Sequence, residues 1–475
     1  MDSSTRPRPG ARRRAGLATL GCLGLVLGGC PRATPTAAGL VAGFEAAEAD
    51  IAEGPPSDSA AARCHAEGRG AALGSERASS SIAVGDGVAF DSGYALGLTH
   101  GSDQGLVGAV AWVSADVAVA TIADLGPTLA EAPPPRIVRR AGGLVAAYFP
   151  RGPGVDPKAP RRLALVAIER SVAGGARALA TASQQADESL AFDLALSPQA
   201  GVVVWDEVVP PRAPAILRSR EVGGRGVIRA SVIDRDWRVA AAYDLSPADS
   251  DAESPRILPV ASGFVAFWIA SASDTESAAP RDADSDIRSV GGPEATGEVR
   301  TSGWVEMLAL DGRAAPRGPV RKLTSDRGHI SSYDVLRLDG DSAILVVARD
   351  DGELTDGTGG TLLIVRTSEA GPEAPLVLSS GGLGRGAPAL VDARPPWVTW
   401  VGDHEELRML PLALTGRPAG APSAEDGLGE ARPLLGIASS TGNAHPATST
   451  RFLTVVPAEK NESPPTVAVA VCEAP

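Results

Sequence analysis

GFVAFWI, residues 263–269, is an apolar run opened by a glycine, with aromatic residues near its end. The same design returns as GAVAWV (108–113), GLVAAYF (143–149) and GVVVWD (201–206). Looser copies are SAILVVA (342–348), PWVTWV (396–401) and RFLTVV (451–456). Runs of this length, rich in β-branched and aromatic residues and bounded by Gly, Pro and Asp, read as strands. Trp112, Trp205 and Trp400 fall at the same place in their copies. Their apolar neighbours make them packing residues rather than platforms for a sugar ring.

Each copy is followed by a second strand, expected at 117–123, 163–169, 216–222, 304–310, 362–367, 407–414 and 467–472. Weaker strands precede some pairs (189–196, 255–260, 388–391) and follow others (227–232, 320–324, 375–378). Repetition at intervals of tens of residues marks an array of small β units. The pattern resembles a β-propeller, most simply one of seven blades. Six or eight blades would also fit the spacing, and tandem β-sandwiches are the competing all-β fold. The tryptophan-aspartate and kelch repeat signatures are absent as series.

The seventh unit ends without an outer strand, while a spare strand-like stretch, SIAVGDGVAF (81–90), lies upstream of the first. Propellers commonly close by letting a terminal strand complete the last blade, which removes exposed sheet edges. Such closure would bring the neighbourhood of Cys64 close to Cys472. A bond enclosing that much chain would destabilise the unfolded state by roughly 5–6 kcal/mol in the chain-entropy model. The alternative is two free, buried thiols.

The first residues are built like an export signal. Arg6, Arg8, Arg12, Arg13 and Arg14 precede the uncharged run AGLATLGCLGLVLGG (15–29). That run is shorter than the roughly 20 residues that span a bilayer as a helix. Leu27-Gly28-Gly29-Cys30 resembles the lipobox of bacterial lipoproteins. The resemblance implies cleavage before Cys30, acylation of its thiol and a lipid bilayer as first partner, with the outer membrane preferred. Residues 1–29 would then be the signal, 30–63 an Ala/Pro-rich spacer and 64–475 the body, with an acidic insertion near 271–300. With Cys22 lost and Cys30 acylated, Cys64 and Cys472 are the remaining cysteines, and export favours their pairing.

The formal charge is −13, and cleavage would remove five arginines against Asp2 alone. An acidic body argues against nucleic acid as a partner.

The sequence carries no complete catalytic, metal or cofactor motif. Gly-x-Ser-x-Gly and phosphate-loop patterns are absent. Gly382, Gly384 and Gly386 open no helix and read as a turn. His404-Glu405 lacks the second histidine of a zinc helix, because Arg408 stands there. His65, His100, His329, His404 and His445 include no pair at ligand spacing. Asp282, Asp284 and Asp286 begin like a calcium loop, but Ile287 replaces the required glycine. Asp249, Asp251 and Glu253 read as a solvated loop, and Asp350, Asp351 and Asp356 as turns. Thr324-x-Asp326-x-Gly328 resembles part of the Asp-box turn of sialidase-type propellers, without the Thr-Trp that completes it. The leading expectation is therefore a non-catalytic envelope platform for a protein or glycan partner. The second is an envelope enzyme acting on glycans, with carboxylates gathered at the mouth of the channel.

Overall fold

The computed structural model describes residues 63–73, 82–90, 93–103, 105–129, 132–140, 143–151, 163–168, 191–209, 225–236, 238–272, 302–326, 328–350, 360–368, 371–380, 383, 387–402, 406–424, 432–437, 449–456 and 464–473. The expected signal, Cys30 and the expected spacer up to residue 62 lie outside them. So do Gly382, Gly384, Gly386, His404, His445 and the acidic triplet Asp282, Asp284 and Asp286. All regular structure among the described residues is strand.

The strands form seven antiparallel sheets, each one blade. β1 (Arg63–Ala72) belongs to the last blade. Blade one holds β2 (Ala83–Phe90), β3 (Gly93–Ser102), β4 (Gly105–Ser114) and β5 (Ala120–Pro127). Blade two holds β6 (Arg136–Arg140), β7 (Gly143–Tyr148) and β8 (Ala164–Ile168). Blade three holds β9 (Phe192–Leu196), β10 (Gly201–Val209), β11 (Arg225–Ile233) and β12 (Tyr243–Asp244). Blade four holds β13 (Ser250–Val260), β14 (Gly263–Ala272), β15 (Gly303–Asp311) and β16 (Arg321–Lys322). In blade five, β17 (His329–Arg337), β18 (Ala343–Asp350) and β19 (Gly360–Ser368) are edged by β20 (Gly371–Pro372) and β21 (Leu376–Ser380). Blade six holds β22 (Ala389–Val391), β23 (Trp397–Val401), β24 (Leu407–Pro411) and β25 (Ser423–Ala424). Blade seven is β26 (Arg432–Ile437), β27 (Ser449–Val456) and β28 (Thr466–Glu473), completed on its outer edge by β1.

The innermost strands touch in the cyclic order β2, β6, β9, β13, β17, β22, β26 and back to β2. The body is thus a closed seven-bladed β-propeller. Each joint between blades carries its own apolar cluster. Val202, Val204 and Ile228 of blade three meet Phe264, Trp268 and Leu308 of blade four. Phe267, Val305 and Met307 of blade four meet Tyr333, Leu345 and Val365 of blade five. A strand buried on both faces has no polar alternation to show, which is why GVVVWD and GFVAFWI are unbroken. The packing is close: a Cβ on Gly97 of β3 would fall 1.8 Å from the Pro135 carbonyl oxygen of the next blade.

Four expectations are corrected. The closing strand is β1 and not 81–90, whose core, Ala83–Phe90, is the innermost strand of blade one. The strand holding Trp112 is third in its blade, whereas Trp205 and Trp400 lie on second strands, so the shared register does not extend to blade one. There the second strand is β3, whose Gly97, Thr99 and His100 dilute its apolar character. The partner of β10 is β11, directly paired along its length, whereas 216–222 lies outside the described residues. The strand expected from 117 begins at Ala120, since Val117 (φ 58°) turns the chain.

The Cys64–Cys472 disulfide is present and links β1 to β28 across a sequence separation of 408. The two cysteines are directly opposed in the ladder. Met409 Sδ of blade six lies 3.7 Å from Cys64 Sγ and 3.8 Å from Cys472 Sγ. β1 also carries Glu67, which pairs with Arg451 Nη2 at 2.7 Å.

Candidate functional site

Alternation along each blade fixes which connections share an end of the channel. The innermost strands begin at one end, and the links between second and third strands return to it. β10 and β14 end at that end, and β11 and β15 begin there. Loops at one end of a scaffold are where function concentrates, so this mouth is the place to look for chemistry.

Below the mouth a belt of alternating charge crosses five consecutive innermost strands. Asp86 of β2 contacts Arg136 of β6. Arg136 Nε stands 2.8 Å from Asp193 Oδ1 of β9, at ion-pair distance rather than in hydrogen-bond alignment. Arg256 of β13 lies in the field of both Asp193 and Asp334 of β17. Burial alone would lower the pKa of Arg256, but Asp334, Asp193 and Tyr333 outweigh it and hold the guanidinium charged. The two aspartates also bind backbone. Asp193 Oδ2 accepts from Ile257 N of the next blade at 2.9 Å, and Asp334 Oδ2 accepts from Leu390 N of its next blade at 2.8 Å. Both sit in an aromatic-Asp-aliphatic triplet, Phe192-Asp193-Leu194 and Tyr333-Asp334-Val335. Asp193 alone of the five is fully buried, and these pairs join each innermost strand to the next.

Above the belt, β13 carries a bulge between Glu253 and Arg256. Its Ser254 adopts φ 54°, in the left-handed region that costs a non-glycine residue free energy. Both neighbouring blades hold it there. Ser254 N donates to Asp206 Oδ2 of blade three at 3.1 Å, and Tyr333 of blade five donates its hydroxyl to Ser254 O at 2.6 Å. Burial pushes the Tyr333 phenol well above its ordinary pKa, with Arg256 pulling the other way, so it stays a neutral donor.

The bulge ends the segment that presents Asp251 and Glu253. Contrary to the loop expected there, both residues belong to β13, with Asp249 just before it. Asp251 Oδ1 accepts from Gly226 N of blade three at 2.5 Å. Glu253 is exposed, yet desolvation raises its pKa, the Asp251 carboxylate raises it further, and His329 at the start of β17 lowers it. Two carboxylates and an imidazole thus come within electrostatic reach where the innermost strands of blades four and five begin. Such a setting shifts the balance towards the protonated form of a carboxyl that solvent can still reach.

The remaining candidates resolve differently. His65 is exposed on β1, and His100 Nε2 lies 2.9 Å from Asp124 Oδ1 at the edge of blade one. Thr324 is buried, and its hydroxyl accepts from Val305 N at 2.9 Å. Asp326 meets Lys322 at 3.1 Å, so the partial Asp-box is an outer turn. Asp350 ends β18 directly opposite His329, whereas Asp351 and Asp356 lie outside the described residues. Trp205 and Trp400 are buried packing residues, and Trp112, partly buried, packs on Phe90. Two buried carboxylates serve the fold: Glu207 pairs with Arg229 at 2.9 Å, and Glu306 accepts from Trp268 and Trp304, each at 2.8 Å. Among the described residues, no group of three or more His, Cys, Asp or Glu side chains is arranged to hold a metal ion.

No protein-family profile and no curated protein matches the sequence. Solved propellers do. The β-propeller domain of the Trilobed protease from Pyrococcus furiosus, which has an open velcro topology, shares 10% identity, with 82% of this chain and 95% of that one covered and a TM-score of 0.39. A puromycin-hydrolyzing peptidase of Mycobacterium tuberculosis shares 12%, covering 82% and 55%, with a TM-score of 0.40. The α-L-arabinanase of Penicillium chrysogenum, complexed with arabinobiose, shares 13%, covering 70% and 92%, with a TM-score of 0.36. Likeness at this level carries no argument about activity. The propeller stands on this chain's own strand pairing.

Proposed function

We propose that the chain is a cell-envelope propeller, tethered through an acylated Cys30, that acts on a glycan at the mouth between blades four and five. The observation that carries this reading is the convergence of Glu253, Asp251 and His329. Cleavage of a glycosidic bond commonly needs one carboxyl that arrives protonated and a second that is ionised. Glu253 has the raised pKa of the proton donor. Asp251 is the adjacent carboxylate; desolvation is the main cause of the raised pKa of Glu253, Asp251 adds to it and His329 offsets part of it. A non-catalytic platform using the same mouth is the second reading. It is favoured by the engagement of Asp251 with Gly226 N, which commits one lone pair of the carboxylate that the chemistry needs.

One assay separates the two. The full chain, purified in detergent, is screened against envelope and plant polysaccharides for both retention and product release. Turnover that disappears in Glu253→Gln, with retention of the same polysaccharide intact, supports the enzyme. Retention without turnover in the parent protein supports the platform. The tether is tested by fractionation: Cys30→Ser should move the protein out of the membrane fraction, and continued sedimentation with membranes would sink the lipoprotein reading.

A further inference from the structure

Glu253 and Ile257 lie on opposite faces of β13, although an unbroken strand would put residues four apart on one face. Their ladder partners fix the faces, since residues directly opposed share a face. Glu253 stands opposite Ile269 of β14, and Ile257 stands opposite Ala266. Ile269 packs into the cluster between blades four and five, whereas Ile257 and Ala266 pack into the one between blades three and four. The change of face falls at the bulge, where Ser254 and Pro255 together stand against Trp268. Without that extra residue, a strand anchored below the bulge would turn Glu253 towards blade three. With it, Glu253 faces blade five, whose innermost strand begins at His329.

The bulge needs holding, because Ser254 sits at φ 54°, a region that residues with a Cβ avoid. On blade three, Val202 and Val204 pack against blade four. Asp206 continues their row on the same face of β10 and is 6% exposed. An apolar side chain there would extend the packing, but only an acceptor can take the Ser254 amide, which Asp206 Oδ2 does at 3.1 Å. Tyr333 binds the carbonyl of the same residue from the other side. We propose that Asp206 is a positioning residue of the mouth: by accepting from the Ser254 amide, it holds the bulge that turns Glu253 towards His329. This assignment rests on the reading of Glu253 as the acting carboxyl.

Asp251 and His329 are the charged groups whose fields reach Glu253, so the test reads the coupling of Glu253 to His329. The full chain, isotopically labelled at glutamate and purified in detergent, is titrated with pH while NMR follows the Glu253 carboxyl. The signal is assigned by its loss in Glu253→Gln. In the parent, His329→Ala should raise the Glu253 midpoint, because His329 lowers it. In Asp206→Ala, the same His329→Ala change should leave the midpoint where it is. Asp206→Asn keeps an acceptor for the amide and should keep the response. Ser254→Val penalises the left-handed conformation while leaving Asp206 in place. It should abolish the response as well, which keeps the test decisive if Asp206→Ala fails to fold. A full response to His329→Ala in either Asp206→Ala or Ser254→Val would overturn the proposal. The readout needs no substrate, so it is decided separately from glycan cleavage. Where the parent does cleave a glycan, Asp206→Ala should lower kcat about a hundredfold.

Discussion

Tyr333 on the innermost strand of blade five donates its hydroxyl to the carbonyl of Ser254 on blade four, 2.6 Å away. Ser254 is the bulge residue, and the bulge sets where Glu253 stands. Tyr333→Phe keeps the ring and removes the donor, leaving a carbonyl with less to bind. The expected cost is about 1–3 kcal/mol, read as a lower midpoint in urea. A glycan-cleaving activity should fall with it, since the bulge would be held from blade three alone. An unchanged midpoint would show that the bond does not constrain the bulge.

Asp193 is 1% exposed and faces two arginines of neighbouring blades. Asp193→Ala strands the buried Arg256 beside Asp334 alone and takes the acceptor from Ile257 N. Breaking a buried pair from one side costs about 3–5 kcal/mol, so the variant should be markedly destabilised or recovered only at low temperature. Asp193→Asn keeps an acceptor for Ile257 N and should lose less.

Reduction of Cys64–Cys472 with a dithiol should lower the denaturation midpoint strongly, because the bond encloses nearly the whole propeller. Cys64→Ala/Cys472→Ala should reproduce the reduced protein. Mass spectrometry of the native chain should find neither thiol free, and two free thiols would remove the covalent closure.

The raised pKa of Glu253 gives a signed pH effect. Folding favours its protonated form, so its contribution to stability is present below the unfolded pKa and is lost as pH rises through the folded value. Glu253→Gln should remove that loss, so the variant gains on the parent as pH rises through the range above the ordinary carboxylate pKa. If Glu253 is the proton donor, turnover should decline across the same range. A parent and variant with parallel stability curves would show no linked proton.

The sequence signals strands most clearly where both faces are buried. Residues 263–269 and 201–205 are apolar throughout because blades pack on either side of them. β1 escapes that logic. It is an edge strand, and Arg63, His65 and Glu67 give it the charged character that keeps edges from pairing with other chains. β3 escapes because Gly97 must leave room for the Pro135 carbonyl. At the mouth, the run around Asp249, Asp251 and Glu253 is polar because a strand that begins at the rim meets water there. His329 joins those residues only through the contact of β13 with β17, which no local spacing encodes. The belt did leave a trace. Pro135-Arg136-Ile137 and Pro255-Arg256-Ile257 repeat one pattern, and the two aromatic-Asp-aliphatic triplets repeat its complement. Pairing them required knowing which strands are innermost.

The position of Cys64 gives the disulfide a mechanical meaning. In the β1–β28 ladder one rung, Arg63 with Glu473, precedes the rung formed by Cys64 and Cys472. Tension arriving from an N-terminal tether would peel the ladder from that end, breaking hydrogen bonds one at a time. It meets a covalent bond after a single rung. Force then passes into β28, which is paired along its length with β27, where many bonds must shear together. If the chain is tethered through Cys30 as proposed, the closure would also work as strain relief for the ring.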